Sequence, residues 1–269
     1  LGDDPGANSS QNEQDNRHYS RMAYAPVLEP GDPQEVYELY LEAVRLSRER
    51  HMPMVLRLST HICHGKSRVS FGEFRGGNGK GGAETGAAGK TGSRSPLFDP
   101  ANGPYIPLTS QAIEMKQRTL EKIEKMQDYV EESSFNRLID NGNGKFGIIT
   151  SGLPFYSLLD VLESAHANED RGDHAAVRPD IFKMALSYPI PKGRIAEFCR
   201  NHEEVLILEE LDPILEQEIK TLAFDEEIRV RIHGKQGRED LVGEYTPAKV
   251  RHILSRHFPG LAEPAPDRE

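Results

Sequence analysis

Apolar positions fall at two spacings along the chain, and the changes between them divide it into elements. Val36, Leu39, Tyr40, Ala43, Val44 and Leu46 recur at helical intervals and predict one apolar stripe. Asp32 is placed as the N-cap of that helix, Pro33 as its first residue, and Glu35 to close a capping box. Pro53 stops the helix, and residues 54–59 read as a short buried strand. The first 70 residues are therefore a strand or loop, a helix and a strand. Residues 111–132 return to the helical period, with Ile113, Leu120, Ile123 and Met126 set among Glu and Lys. That pattern predicts a connecting helix lying on a surface.

From residue 145 the pattern alternates. Strands are predicted at 146–150, 181–187, 205–209 and 227–232, with helices at 154–166, 192–201, 213–222 and 247–258. Strands separated by helices of this length imply right-handed crossovers and a parallel sheet. The unbroken apolar run at 205–208 predicts a central strand covered on both faces. The expected fold class is α/β.

Residues 75–95 contain almost no side chain able to pack. Such composition cannot offset an ordering cost of roughly 1–2 kcal/mol per residue, so a flexible glycine-rich insert is expected. Two resemblances to phosphate-binding loops fall in it. Gly77, Gly79 and Gly82 match GxGxxG without a strand before or a helix pattern after, and Glu84 stands where a Walker loop ending in Gly89-Lys90-Thr91 needs glycine. Neither carries a nucleotide site.

Charge and cysteine content narrow the functional classes. The 269 residues hold 33 Lys+Arg and 43 Asp+Glu, a net charge of −10, which argues against a general nucleic-acid binder. No apolar run approaches the ~20 residues of a membrane span. Cys63 and Cys199 stand alone, too few for a disulfide scaffold, a zinc ribbon or an iron–sulfur cluster. The opening Leu1-Gly2-Asp3-Asp4 and the closing Glu263-Pro264-Ala265-Pro266 suggest an internal fragment of a larger cytoplasmic polypeptide.

Three clusters are candidates for chemistry. Asp3-Asp4-Pro5-Gly6 and residues 9–17 form the densest polar segment: either a solvated loop with Asx turns, or donors and acceptors at the mouth of a sheet. In the second reading Arg17 pairs with a carboxylate of the kind a 2-oxo acid presents. His61 and His64 are spaced as metal ligands but lack an evident third partner, and Cys63 between them reads as a simple thiol. Glu209-Glu210-Leu211-Asp212-Pro213 reads either as paired carboxylates for acid–base work or as an ordinary acidic helix start.

Taken together, several motifs in one order resemble a known family. They are Asp3-Asp4-Pro5-Gly6, Ser9-Ser10-Gln11-Asn12-Glu13-Gln14-Asp15-Asn16-Arg17, Pro26-Val27-Leu28-Glu29-Pro30, Val55-Leu56-Arg57-Leu58-Ser59-Thr60 and His64-Gly65-Lys66-Ser67. Asn136-Arg137, Gly147-Ile148-Ile149-Thr150-Ser151-Gly152, Tyr188-Pro189-Ile190-Pro191, Glu209-Glu210-Leu211-Asp212-Pro213 and Gly243-Glu244-Tyr245-Thr246-Pro247 follow. This series resembles the alpha subunit of the indolepyruvate:ferredoxin oxidoreductases, within the thiamine-diphosphate-dependent 2-oxoacid:ferredoxin oxidoreductase family.

The resemblance implies oxidative decarboxylation of aryl pyruvates with coenzyme A to aryl-acetyl-CoA and carbon dioxide, with electrons passed through [4Fe-4S] clusters to ferredoxin. It implies that residues 1–74 are the C-terminal part of a thiamine pyrimidine-binding domain. An insert at 75–103, a helical linker at 104–144, a transketolase-C-like α/β domain at 145–258 and a linker at 259–269 follow. Thiamine diphosphate, Mg²⁺ and the clusters are expected to be held mainly by parts outside this chain, leaving it inactive alone. The implied partners are a smaller beta subunit, ferredoxin and an aryl pyruvate, in an oligomer without nucleic acid or membrane. Arg17 is the implied ligand of the substrate carboxylate, with Arg21 second, Gln14 and Asp15 flanking, and Ser9 and Ser10 lining the same pocket. No catalytic residue is implied in the chain. The alternative is a non-catalytic module that docks partner subunits.

Overall fold

The computed structural model describes residues 1–72, 109–166 and 178–259. The glycine-rich segment at 75–103 lies wholly outside these, as does the closing linker from residue 260. The elements in order are β1 (Gly2–Asp3), α1 (Arg17–Ala23), β2 (Val27–Leu28), α2 (Pro33–Arg50), β3 (Val55–Leu56), β4 (Leu58–Ser59), α3 (Thr60–His64) and α4 (Thr109–Glu132). They continue as β5 (Arg137–Ile139), β6 (Phe146–Ser151), α5 (Leu153–His166), β7 (Asp180–Met184), β8 (Leu186–Tyr188) and α6 (Lys192–Arg200). Last come β9 (Glu204–Leu208), α7 (Ile214–Asp225), β10 (Arg231–His233) and α8 (Pro247–His257).

The larger sheet has the order β10-β9-β6-β7-β5. Its first four strands run parallel, and β5 pairs antiparallel with β7 at the edge. The expected parallel sheet is formed by the four predicted strands, and β5, which follows α4 and needs no crossover, adds an antiparallel edge. Side chains alternate across the central strands and fill two separate cores. Ile148 and Leu206 pack with Leu158, Val161, Val250 and Ile253 of α5 and α8. Ile149 and Ile207 pack with Ile195, Phe198, Leu215 and Ile219 of α6 and α7. The apolar run at 205–208 is an interior strand for this reason.

A smaller sheet orders β3-β2-β8, and β1 pairs with β4. Segment 55–59 lies between the two: Val55 and Arg57 N–H groups donate to the Pro26 and Leu28 carbonyls, while the Leu58 N–H donates to Leu1. The predicted strand at 181–187 is divided into β7 and β8. At Ala185 the chain leaves the large sheet, because the Ala185 and Leu186 N–H groups both donate to Asn136 Oδ1 at 2.9 Å. The Ala185 carbonyl accepts from Glu29 N–H at 2.7 Å, and β8 then joins β2 antiparallel. One stretch of chain therefore belongs to both sheets.

The helix at 33–50 forms as its signals require, with Asp32 Oδ1 accepting from Glu35 N–H at 2.8 Å. Glu35 does not close a reciprocal box; its carboxylate takes the Gly31 N–H at 2.8 Å and turns toward Lys183 and Arg137. Leu39, Ala43 and Leu46 are buried against Met126 and Val130 of α4, whereas Tyr40, also assigned to the stripe, is exposed. The predicted strand at 227–232 begins only at Arg231, since Ile228 N–H closes α7 by donating to Ala223. Among the described residues no helix is long and apolar enough to cross a membrane.

Candidate functional site

The carboxyl ends of β6 and β9 meet the carboxyl end of segment 55–59, and the N-terminal polar loop is laid over this junction. Charged residues interrupt otherwise apolar strands here, and each finds a buried partner. Arg57 donates Nη1 to Glu29 Oε2 at 2.9 Å and Nε to Asp3. Glu29 also accepts from the hydroxyls of Ser187 and Ser151. Burial opposes its charge, but the Arg57 and Arg17 guanidiniums hold its carboxyl below the ordinary range. Asp3 is pushed up, because burial outweighs the nearby Arg57 charge.

Arg17 is 1% exposed and all three of its guanidinium nitrogens donate within the protein. Nε bonds Asp15 Oδ1 at 2.9 Å, Nη1 bonds Glu209 Oε2 at 2.6 Å, and Nη2 bonds Asp15 Oδ2 and the carbonyls of Glu210 and Asp212. Against burial, these bonds to Arg17 hold the Asp15 carboxyl down at about 2. The arginine expected to meet a substrate carboxylate is thus a buried tie that does not open to a cavity.

Above it, Asp4 organises the loop by accepting N–H groups of Asn8, Ser9 and Ser10 at 3.0, 2.7 and 2.6 Å. The fold leaves a cleft of about 280 Å³. Ser9, Ser10 and Gln14 line it, opposite Thr60, Cys63 and His64 of α3. Three of the six residues expected to bind substrate therefore face one cleft, while Asp15 and Arg17 lie buried beneath the loop. Arg21 is elsewhere, donating Nε to Glu218 Oε1 at 2.5 Å with its guanidinium 5.0 Å above the Tyr188 ring.

Glu209 and Glu210 are both buried, and burial pushes both carboxyls up. Glu209 accepts the N–H groups of Leu215 and Glu216 at 3.0 and 2.8 Å, capping α7, so the ordinary helix-start reading describes half of what it does. Its other half, the bond to Arg17, went unread in the sequence. Glu210 Oε1 accepts Tyr245 N–H at 2.9 Å. Lys235 Nζ donates to the Glu209 and Asp240 carbonyls and to Tyr245 Oη, and burial lowers it to about 8. A legible signal for Arg57, Glu29 and Lys183 was present: a lone charge beside or within an apolar strand must be paired.

Fit to metals follows from these placements. Among the described residues no three His, Cys, Asp or Glu side chains gather to hold a metal ion, so a magnesium site is not formed by them. His61 and His64 accordingly have no third ligand. Cys63 is exposed and Cys199 buried, so the two cannot ligate an iron–sulfur cluster together.

The parallel-rich α/β fold is similar to one found in a 2-oxoacid:ferredoxin oxidoreductase. It superposes on the 2-oxoglutarate:ferredoxin oxidoreductase from Magnetococcus marinus with a TM-score of 0.51 and 13% identity, covering 88% of this chain and 42% of that one. Residues 136–248 match the family described as the indolepyruvate oxidoreductase domain. The chain is 33% identical to indolepyruvate oxidoreductase subunit IorA of Methanothermobacter marburgensis over 255 residues. It is 32% identical to the same subunit of Thermococcus kodakarensis over 267 residues. Residues 136–248 thus carry the indolepyruvate oxidoreductase domain, and nearly the whole chain matches one stretch of the IorA subunit. The chain covers 94% and 98% of its own length in the two alignments but only 37% and 38% of those relatives.

Proposed function

We propose that this chain supplies the substrate-side cleft of a cytoplasmic, thiamine-diphosphate-dependent indolepyruvate:ferredoxin oxidoreductase. The reaction joins an aryl pyruvate and coenzyme A to give aryl-acetyl-CoA and carbon dioxide, with two electrons leaving through iron–sulfur clusters to ferredoxin. Bound thiamine diphosphate supplies the carbanion chemistry. In this reading its Mg²⁺ ligands and the cluster cysteines belong to other parts of the assembly. The same reading takes residues 1–74 as part of a pyrimidine-binding domain and 145–258 as a transketolase-C-like domain.

The observation that carries this reading is the cleft at the strand ends. Ser9 and Gln14 present a hydroxyl and an amide donor there, while the Ser10 and Thr60 hydroxyls donate to the Asn12 and Asp3 carbonyls. Arg17 and Arg57 at the same junction are each paired with buried carboxylates, and Asp3 and Asp4 also line the cleft, so recognition of the 2-oxo acid falls to neutral donors. Arg17 then acts from beneath the loop, and the contacts to the 2-oxo acid fall to the cleft side chains.

The test is indolepyruvate-dependent reduction of ferredoxin by the full-length subunit assembled with its smaller partner. Gln14→Leu and Ser9→Ala should each raise KM for indolepyruvate by about tenfold. Unchanged kinetic constants in both variants would overturn the cleft assignment and favour a non-catalytic docking module.

A further inference from the structure

The cleft loop is held from a distance, and the geometry points to the residue that does it. Glu209, at the end of the interior strand β9, contacts Arg17 across 192 positions of sequence. Both of its oxygens accept at the start of α7, and one of them also holds Arg17. Oε1 takes the Glu216 N–H at 2.8 Å, and Oε2 takes both the Leu215 N–H at 3.0 Å and Arg17 Nη1 at 2.6 Å.

Further bonds interlock the same two segments. Arg17 Nη2 donates to the carbonyls of Glu210 and Asp212 at 2.8 and 2.9 Å, and Asp212 N–H donates back to Asp15 Oδ2 at 3.3 Å. Asp15 and Arg17 end the loop that carries Ser9, Ser10 and Gln14. Wherever β9 and the N-terminus of α7 sit, the floor of the cleft loop must follow. We propose that Glu209 is a positioning residue, which through Arg17 sets loop 5–16 in the geometry that binds the 2-oxo acid; this rests on the cleft assignment above.

The carboxylate is suited to this in a way a neutral acceptor is not. A helix cap needs only an oxygen, whereas a guanidinium held wholly inside the protein needs a full negative charge beside it. Asp15 alone supplies one such charge from within the loop itself, so it cannot report the position of the sheet. Glu209 belongs to the sheet and supplies the second.

Glu209→Gln keeps one oxygen acceptor and removes the charge of the tie, at the expense of one of the two N–H bonds at the start of α7. In the assembled full-length complex it should raise KM for indolepyruvate by about tenfold while kcat stays within about twofold. Amide hydrogen exchange in residues 5–16 should quicken, with β9 and the turns of α7 beyond its first unchanged. Arg17→Lys is the companion variant, keeping the charge but losing the fork that reaches Asp15, Glu209 and the carbonyls together; the same exchange signature is expected. Unchanged exchange and KM in Glu209→Gln, with a raised KM in Gln14→Leu, would overturn the positioning role and leave the cleft assignment standing. Faster loop exchange with KM unmoved in Glu209→Gln and Gln14→Leu alike would instead overturn the cleft assignment and with it this role.

Discussion

Lys183, in the middle of β7 and without solvent exposure, donates its ammonium to Glu35 at the start of α2, 148 positions earlier in the chain. Glu35 also accepts from Arg137 Nη2 at 2.8 Å and from Gly31 N–H. Burial lowers the Lys183 pKa, and the Glu35 charge works against that shift. This contact joins the start of α2 to the large sheet.

The two partners should therefore respond unequally to mutation. Glu35→Leu strands an ammonium in the core and is expected to cost about 3–5 kcal/mol. Lys183→Met leaves Glu35 with Arg137 and Gly31, so the loss should be about 1–2 kcal/mol. The double variant should recover part of the Glu35→Leu loss. Urea unfolding of the four proteins gives the coupling directly, and strict additivity would exclude it.

Asp15 predicts a specific acid response. Its folded carboxyl sits at about 2 against an ordinary 3.8, so its contribution is complete above pH ~4 and is lost as pH falls toward ~2. Asp3, Glu209 and Glu210 are shifted up and carry the opposite sign, but they remain in an Asp15→Asn protein. That variant should be less stable at neutral pH by about 1.5–3 kcal/mol and show a shallower loss of stability between pH ~4 and ~2. Unfolding free energies measured across that range check both slopes.

Gly31 should tolerate no side chain. A Cβ there would lie 2.4 Å from the Gly152 carbonyl oxygen and 2.6 Å from the Tyr156 ring, and the first obstacle is backbone that cannot rotate away. Gly31→Ala is expected to destabilise by about 1–3 kcal/mol. At Gly2 a Cβ meets nothing within 4 Å, so Gly2→Ala should stay within about 0.5 kcal/mol. Thermal unfolding of the pair distinguishes crowding from a general intolerance of alanine.

The two thiols should separate cleanly. Cys63 lies exposed at the cleft, while burial pushes the Cys199 thiol up to about 12. Iodoacetamide should label one cysteine in the folded protein and the second only in denaturant. Cys63→Ser should abolish native labelling, and mass spectrometry of the labelled peptides checks the assignment.

The alternation of apolar runs and helical periods placed most elements of residues 145–258 within a few positions. That succeeded because the strands β6 and β9 are covered on both faces, so burial writes itself into consecutive apolar residues. The Asp32-Pro33 start of α2 was equally legible, since a helix cap is satisfied within four residues. The polar density of residues 3–17 also marked the loop that builds the cleft, and Ser9, Ser10 and Gln14 face it as grouped.

The sequence by itself thus determined the α/β class, the helices with local caps and the identity of the polar loop. Tertiary structure decided where the charges go. Arg17 looks like a surface ligand in its own neighbourhood and becomes a buried tie only because Glu209 arrives from the end of β9. The split of residues 180–188 between two sheets likewise depends on Asn136 and Glu29, neither of which is near it in sequence. Local signals record what a residue needs within one turn or one strand. A buried charge records a need for a counter-charge without recording its address, and only the packed sheets supply that address.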